Sequence, residues 1–203
     1  MSRRERLERA LLYLVVEAGA ARVLEPALRG GVDVVQLRDS ELPDERLLEA
    51  AGVFRSACDQ HDALFVLNDR ADLVVEAGAD GVHVGQRDTP VAEARRLVGD
   101  ERLVGLSIAA REQLDAIDGA DYLGVGAVFG TPTKPDATVT GLELAAEATA
   151  RARVPVFAIG GIDETNVADV VRSGVRRIAV VRAIRDADDP EIAARRLRAY
   201  LER

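Results

Sequence analysis

The chain has 203 residues, of which 48% are hydrophobic and 31% are charged, so it can bury a substantial core and is not expected to be disordered. Its net charge of −8 argues against nucleic acid as a partner, because nucleic-acid-binding surfaces are basic. No apolar run approaches the roughly 20 residues that cross a bilayer, the run at 11–16 is too short for a signal peptide, and the only cysteine, Cys58, cannot form an internal disulfide. We therefore expect one domain, 1–203, in the cytoplasm, with neither nucleic acid nor a membrane as a partner.

A glycine followed by a short apolar strand occurs four times along the chain. The copies begin at Gly31, Gly78, Gly119 and Gly174, and each glycine is predicted to end a helix in the left-handed conformation. Four further β-rich runs lie between these copies, at 12–16, 64–67, 103–106 and 156–159. Together the two sets predict eight strands.

Helical stretches alternate with these strands and give eight βα units. The predicted helices cover 22–29, 43–60, 71–77, 90–98, 110–117, 141–151, 164–173 and 190–201. Because strands such as 154–159 are apolar on both faces, as in buried parallel sheets, we predict an α/β fold of the (β/α)8 TIM-barrel class. An open doubly wound sheet is the alternative, but its glycine-rich fingerprint is missing after the first strand.

Polar residues cluster just after the predicted strands, where (β/α)8 barrels carry their active sites. On strands 2 to 5 the candidates are Gln36, Arg38, Asn68, Asp69, Asp88 and Ser107. Asp69 and Asp88 follow adjacent strands, and Mg²⁺ commonly takes one or two carboxylates together with phosphate oxygens and water. The alternative is that each aspartate caps the helix that follows it.

The last two strands offer a place for an anion. Gly160 and Gly161 follow strand 7, and Val181 and Arg182 follow strand 8. Many (β/α)8 barrels bind a phosphate at this position through backbone N–H groups and the start of a helix. We therefore predict a phosphate site there.

The segment 131–136, which follows strand 6, is long for a βα loop and contains Thr131, Thr133 and Lys134. Lys134 is the only lysine among 27 basic residues, and a lysine offers a compact point charge that arginine does not. The segment is predicted to form a lid over the site; an ordinary solvated loop is the alternative.

The two histidines suggest no catalytic set. His83 lies inside strand 4 and is interpreted as structural, and His61 lies at a helix end and is interpreted as a surface residue. Neither a Ser–His–Asp set nor a Cys–His pair is evident.

Six motifs in fitting order carry a family resemblance that runs from about residue 12 to residue 201. They are Val-Gln-Leu-Arg at 35–38, Leu-Asn-Asp-Arg at 67–70, Gly-Val-His-Val-Gly-Gln-Arg-Asp at 81–88, Gly-Leu-Ser at 105–107, Thr-Pro-Thr-Lys at 131–134 and Ala-Ile-Gly-Gly-Ile at 158–162. This set resembles the thiamine phosphate synthase family. The resemblance implies a (β/α)8 enzyme that joins 4-amino-2-methyl-5-hydroxymethylpyrimidine diphosphate to a thiazole phosphate and releases diphosphate, by way of a pyrimidine carbocation.

The resemblance also implies roles for residues. Those expected to hold the pyrimidine diphosphate are Gln36, Arg38, Ser40, Asn68, Ser107 and Lys134. Those expected around the thiazole phosphate are Thr131, Thr133, Gly160, Gly161, Val181 and Arg182. Asp69 and Asp88 would hold Mg²⁺ as the cofactor, and Arg38, Lys134 and Ser107 would be the catalytic groups because they stabilise the leaving diphosphate. The resemblance leaves room for a homodimer, but the sequence does not fix the oligomeric state.

The chain departs from the family pattern at three places. Ser40 stands where the family usually has a lysine, 108–110 lacks a histidine that many members have after the serine, and Arg182 stands where a serine is common. We hypothesise that Arg182, Arg70 or Arg87 restores the positive charge that Ser40 does not supply.

Two other functions compete with synthase activity. A thiazole tautomerase shares the barrel and tends to lack the lysine at the Ser40 position, but it has no need of Asp69, Asp88 and Lys134, and it needs a histidine near Ser107 to move a proton. A non-catalytic relative would bind thiazole phosphate or thiamine phosphate without turnover.

Overall fold

Eight parallel strands close into a barrel in the computed structural model, which describes residues 1–131 and 138–202. The strands are β1 Leu12–Val16, β2 Val34–Leu37, β3 Leu64–Asn68, β4 Gly81–Val84, β5 Leu103–Ile108, β6 Tyr122–Gly126, β7 Val156–Ile159 and β8 Ile178–Val180. Each strand pairs with its neighbours in the chain, and β8 returns to pair with β1. The predicted (β/α)8 class is confirmed, and the single domain 1–203 stays a prediction.

The helices surround this barrel. They are α1 Arg3–Arg9, α2 Leu24–Arg29, α3 Asp44–Gln60, α4 Val91–Val98, α5 Gly141–Arg151, α6 Val167–Arg172, α7 Arg182–Arg185 and α8 Pro190–Leu201, with 3-10 helices at Ala18–Val23 and Arg111–Asp115. No helix in the described part of the chain is long and apolar enough to cross a membrane.

Alternation along the strands divides the core into two parts. In β1, Leu12, Leu14 and Val16 pack outward against the helices, whereas Tyr13 and Val15 point into the barrel. The same period of two places the side chains of the other strands alternately outside and inside. A polar residue at an inward position near the end of a strand therefore faces the barrel mouth.

The repeated glycines lie in the turns before β2, β4, β6 and β8 and have the predicted left-handed conformation, although no α-helix directly precedes Gly78 or Gly119. Gly31, Gly78, Gly119 and Gly174 all have positive φ, between 65° and 99°. Three of the four copies continue with an aspartate, and each of these aspartates accepts a hydrogen bond from the backbone of the preceding strand and pairs with an arginine of an outer helix. The sets are Asp33 with Leu12 and Arg198, Asp80 with Phe65 and Arg55, and Asp121 with Val104 and Arg95.

Asp80 is the most buried of these aspartates and carries the first prediction. It accepts hydrogen bonds of 2.8 Å from both Arg55 and Arg3. Burial by itself would raise the pKa of Asp80, but the bonds from Arg55, Phe65 and Arg3 outweigh it and hold the pKa below the ordinary 3.8. Asp80→Ala removes the buried acceptor shared by Arg55, Arg3 and the Phe65 N–H and leaves Arg55 paired with the exposed Asp59 carboxylate instead, so we expect a loss of about 3–5 kcal/mol in the free energy of unfolding, measured by urea titration at pH 7.

Asp59 provides the matched control, because it pairs with the same Arg55 at 2.7 Å but its side chain is 66% exposed. Asp59→Ala should cost less than about 1 kcal/mol. Since the pKa of Asp80 is depressed, its contribution is present above pH 4 and is lost as the pH falls through the lowered pKa. Equal losses for the two variants at pH 7 would contradict this account.

Two predicted helices are wrong. The segment 71–77 is a series of turns, and its buried residues Ala71, Val74 and Ala77 recur every third position, a spacing that suits tight turns better than the 3.6-residue period of an α-helix. The segment 110–117 forms only the short 3-10 helix Arg111–Asp115, in which Leu114 is the one buried residue. Such short segments bury too little apolar surface to stabilise an α-helix.

The helix α1 was not predicted. Ser2 and Glu5 form a capping box at its start, with a hydrogen bond of 2.7 Å from the Ser2 backbone N–H to the Glu5 carboxylate. Leu7 of α1 and the following Ala10 pack into the interior cluster of the barrel, at the end opposite the strands' carboxyl termini. The pattern of a serine followed three residues later by a glutamate was a readable signal for this helix.

Candidate active site

A cavity of about 1170 Å³ opens at the carboxyl ends of the strands. Its lining includes nine of the predicted site residues: Gln36, Arg38, Asn68, Ser107, Thr131, Gly160, Gly161, Val181 and Arg182. The first four come from β2, β3 and β5 or the residues just after them, and Gly160 to Arg182 come from the ends of β7 and β8. In the closed barrel, β3 and β4 stand across the mouth from β7 and β8, so the two predicted half-sites face each other.

Asp69 and Asp88 interact with one another next to Asn68, which lines the cavity, but neither carboxylate is itself part of the cavity lining. Burial, and then the neighbouring Asp88 carboxylate, raise the pKa of Asp69 to about 6. Asn68 donates a hydrogen bond of 2.6 Å to Asp69, and the backbone N–H of Gly85 donates one of 2.8 Å to Asp88. Asp69 also has a positive φ of 59°, a conformation uncommon for a residue with a side chain, and the turn brings its carboxylate towards Asp88.

The carboxylate pair fits a divalent cation. Two carboxylates in contact repel each other when both are ionised, and a bound cation removes that repulsion. Among the described residues no group of three or more His, Cys, Asp or Glu side chains gathers, so the candidate centre consists of two carboxylates and leaves coordination positions for phosphate oxygens and water. Helix capping does not account for Asp88, because Pro90 precedes α4 and no side chain caps it.

Ser107 is held from two sides. The side chain of Gln86 donates a hydrogen bond of 2.7 Å to the Ser107 carbonyl oxygen, and the ring of His83 lies with Nε2 2.9 Å from the Ser107 hydroxyl oxygen. Burial, with the Arg38 guanidinium adding to it, lowers the pKa of His83 to about 4, so the ring is neutral at physiological pH.

The position of His83 corrects two sequence-based inferences. It lines the cavity and is not merely a structural residue of β4. It also places an imidazole beside Ser107. The argument against a tautomerase from the lack of a histidine near Ser107 is therefore wrong, because that histidine comes from another strand. The signal was available, since His83 is a polar residue at an inward position of an otherwise apolar strand.

The loop after β7 forms a cradle of backbone. Gly160 and Gly161 have φ values of +103° and +66°, and Gly160 accepts a hydrogen bond from the Phe129 N–H at 3.0 Å. A Cβ on Gly161 would lie 2.6 Å from the Gly130 carbonyl oxygen and 2.8 Å from the Phe129 Cβ. The Asn166 side chain holds the loop by donating a hydrogen bond of 2.8 Å to the Gly161 carbonyl. This tight cradle is adjacent to Val181 and Arg182, where α7 begins.

Gly161→Ala is expected to raise the KM for a phosphorylated substrate bound at this loop by about tenfold or more, because the new methyl group displaces the 128–130 backbone from the cradle. The KM for a substrate bound on the opposite side of the mouth should change less than threefold. Gly174→Ala is the control, since Gly174 shares the positive φ of +93° but has open space around it. The steady-state kinetics of the two variants check this prediction, and a Gly161→Ala enzyme with the KM of the Gly174→Ala enzyme would refute it.

Some predicted residues fall elsewhere. Thr133 and Lys134, with the predicted lid, lie outside the described residues. Ser40 is exposed and is not part of the cavity lining. Arg70 donates hydrogen bonds to Asp44 and Asp72 on the surface and does not line the cavity. It therefore does not replace the positive charge that is missing at Ser40. Arg87 and Arg182 do line the cavity.

The fold and the rim together define a (β/α)8 barrel with polar side chains and a glycine loop at one mouth and a carboxylate pair beside it, which is the end where enzymes of this fold carry their active sites. The family model described as thiamine monophosphate synthase matches residues 12–184. The chain belongs to this family, and the family predicted from the sequence motifs is confirmed.

Individual relatives agree with this assignment. The chain is 48% identical to the thiamine-phosphate synthase of Thermobifida fusca over 98% of its own length and 95% of the relative's, and 42% identical to that of Nostoc punctiforme, of which it spans only 58%. The solved thiamine phosphate pyrophosphorylase from Pyrococcus furiosus superposes with a TM-score of 0.88 at 33% identity, covering 98% of this chain and 97% of that one. The chain thus spans a little over half the length of some relatives, such as the Nostoc enzyme, and nearly all of others. The activity predicted from the sequence agrees with the names of these relatives.

Proposed function

We propose that this chain condenses 4-amino-2-methyl-5-hydroxymethylpyrimidine diphosphate with a thiazole phosphate to give thiamine phosphate and diphosphate. The observation that carries the proposal is the gathering of Arg38, Asn68 and Ser107 on one side of a mouth whose other side is the Gly160–Gly161 cradle. The carboxylate pair adjoins the first side through the hydrogen bond from Asn68 to Asp69. One half suits a diphosphate and a cation, and the other suits a single phosphate.

In the reaction, the bond between the pyrimidine methylene carbon and the diphosphate oxygen breaks, and the oxygen keeps the electron pair. The thiazole nitrogen then donates its lone pair to the methylene carbon and forms the new C–N bond. Neither step needs a protein nucleophile, so the Ser107 hydroxyl beside His83 has no covalent role in this scheme. The barrel residues supply charge and position.

Arg38 and Ser107 stabilise the leaving group in this scheme. The Arg38 guanidinium stands on the rim and can bind two diphosphate oxygens, while the Ser107 hydroxyl can donate a hydrogen bond to a third. By the family resemblance Lys134 adds a further positive charge. These groups favour departure of the diphosphate because negative charge grows on it as the carbon–oxygen bond breaks.

Asp69 and Asp88 are the residues that would hold Mg²⁺, and Asn68 orients Asp69 through its 2.6 Å hydrogen bond. When bound there, the ion neutralises the diphosphate oxygens and makes diphosphate a better leaving group.

The other half of the mouth places the acceptor. The cradle at Gly160 and Gly161, with Arg182 beside it, would bind the thiazole phosphate through backbone N–H groups and one guanidinium. Apolar lining such as Val15, Phe157 and Ile159 would keep water from the carbocation while the thiazole nitrogen approaches.

Incubation of the purified protein with both substrates and Mg²⁺ tests the proposal. The expected result is thiamine phosphate and diphosphate in equal amounts, with product formation abolished by chelator. Isomerisation of a thiazole carboxylate phosphate without added metal would indicate the tautomerase instead. Thermal stabilisation by the ligands without product would indicate a binding protein.

We also propose that Arg87 compensates for the absent lysine at position 40, since it lines the cavity and follows β4 on the diphosphate side of the mouth, whereas Arg182 follows β8 on the opposite side. Ser40→Lys is then expected to change the KM for the pyrimidine diphosphate by less than about twofold, whereas Arg87→Ala raises it about tenfold, the effect of one lost charge-assisted bond. Steady-state kinetics check this, with Arg182→Ala expected to change the KM for the thiazole phosphate instead. A silent effect of Arg87→Ala would contradict the compensation hypothesis.

The cytoplasmic location and the homodimer stay predictions. Analytical ultracentrifugation of the purified chain measures its oligomeric state directly.

A further inference from the structure

Five polar side chains form a continuous hydrogen-bonded series across the barrel interior, which we call the tyrosine–histidine chain. It runs from Gln36 to Tyr13 over 2.7 Å, from Tyr13 to Tyr122 over 2.9 Å, from Tyr122 to Nδ1 of His83 over 3.1 Å, and from Nε2 of His83 to Ser107 over 2.9 Å. Both tyrosines are buried, at 2% and 0% exposure. A buried polar group without a hydrogen-bond partner is energetically costly, so each buried donor in the tyrosine–histidine chain must be matched with an acceptor.

The packing keeps the members of this chain in place. The ring of Tyr122 fills the space above Gly105, where any side chain would collide with it. The edge of the Phe157 ring meets both tyrosines, with centroid distances of 5.4 Å to Tyr13 and 5.9 Å to Tyr122. The hydroxyl groups therefore have little freedom to seek other partners.

The chain has a direction because each phenol carries one proton. Burial raises the pKa of both Tyr13 and Tyr122, so both hydroxyls stay protonated. The Gln36 amide donates to the Tyr13 oxygen, which leaves the Tyr13 proton for Tyr122, and Tyr122 in turn donates to Nδ1 of His83. Because Nδ1 accepts this hydrogen bond it carries no proton, so the N–H of the ring is at Nε2 and donates to the Ser107 oxygen.

This direction leaves the proton of the Ser107 hydroxyl available to the cavity. With its oxygen already accepting from His83, the hydroxyl presents a donor towards the mouth. We propose that Tyr13, Tyr122 and His83 are positioning residues that fix Ser107 as a hydrogen-bond donor to the departing diphosphate. The inference rests on the proposed function only in naming diphosphate as the group that accepts the hydrogen bond from Ser107. The direction of the hydrogen bonds in the tyrosine–histidine chain is a property of the free protein.

Nitrogen NMR of the histidine rings reads this direction without turnover. The protein has two histidines. His61, whose Nε2 lies 2.8 Å from Glu25 on the surface, is the internal reference. In long-range ¹H–¹⁵N spectra of the wild-type protein we expect His83 as the Nε2–H tautomer with Nδ1 unprotonated. A His83 ring protonated at Nδ1, alone or together with Nε2, would overturn the inference.

A double-mutant cycle separates positioning from general packing. Tyr122→Phe is expected to lower kcat by about tenfold with KM within threefold, and to mix the two His83 tautomers, since one directing hydrogen bond is lost. In a Ser107→Ala background the same substitution should change kcat less than about twofold, because the group it orients is gone. Fully additive effects would overturn the positioning role.

Tyr200→Phe is the control for loss of a tyrosine hydroxyl, because Tyr200 lies on α8 outside the cavity lining and should leave both kcat and the His83 spectrum unchanged. If the wild-type protein forms no thiamine phosphate, the proposed function fails while the tautomer of His83 still decides the direction of the chain. If product forms and the tautomer is reversed, only the inference about Ser107 fails.

Discussion

Replacing either member of the carboxylate pair, as Asp69→Asn or Asp88→Asn, is expected to lower kcat by about 10²–10³-fold at millimolar Mg²⁺. The substitution keeps the size of the side chain but removes one of the two charges proposed to hold the ion, and stabilisation of a leaving group by one such element has about this magnitude. Assays across Mg²⁺ concentrations check the prediction, because activity should recover partly as the ion concentration rises.

The same variants should behave in the opposite way in stability measurements. In the wild-type protein Asp88 contributes to the raised pKa of Asp69, so removing one carboxylate relieves repulsion, and the metal-free variant should melt at or above the wild-type temperature. The rise in melting temperature on adding Mg²⁺ should be lost. Asp72→Asn is the control, since Asp72 binds Arg70 on the surface. Full activity in Asp69→Asn would contradict the metal site.

Arg38→Ala is expected to lower kcat/KM for the pyrimidine diphosphate by about 10²-fold, with the KM for the thiazole phosphate unchanged. Arg38 stands on the rim beside Asn68 and Ser107, and loss of a charged donor to a phosphoryl group commonly costs about this much. Arg38→Lys should recover only part of the lost kcat/KM, because lysine keeps the positive charge but cannot form the bidentate contact of a guanidinium.

Arg46→Ala serves as the arginine control, because Arg46 pairs with Glu49 on the outer helix α3 and should leave the kinetics within about twofold of the wild type. Equal losses in kcat/KM for the two substrates after Arg38→Ala would mean that Arg38 does not belong to the diphosphate half of the mouth.

Most of the barrel could be predicted because its elements have strong local signals. The eight strands are short apolar runs bounded by turns, and the four glycines of the repeat all have the predicted left-handed conformation. Where a helix is weakly amphipathic and short, as at 71–77, the sequence has too little periodicity to distinguish turns from a helix.

The site was predicted in part for the same reason. Asp69 directly follows β3 and Ser107 lies at the carboxyl end of β5, and barrel closure brings such positions to one mouth. The interior chain of Tyr13, Tyr122 and His83 could not be assembled from the sequence, because its members lie on three strands and meet only through the inward register of the closed barrel. Each member does leave a trace, as a polar group at an inward position of an apolar strand.

Calorimetric titration of the purified protein with inorganic diphosphate tests the central claim most directly. With Mg²⁺ present we predict saturable binding that weakens at least about tenfold when the ion is chelated, or when Asp69 and Asp88 are both replaced by asparagine. Unchanged affinity for diphosphate under both conditions would show that the two aspartates do not join a cation to the substrate, and would contradict the account.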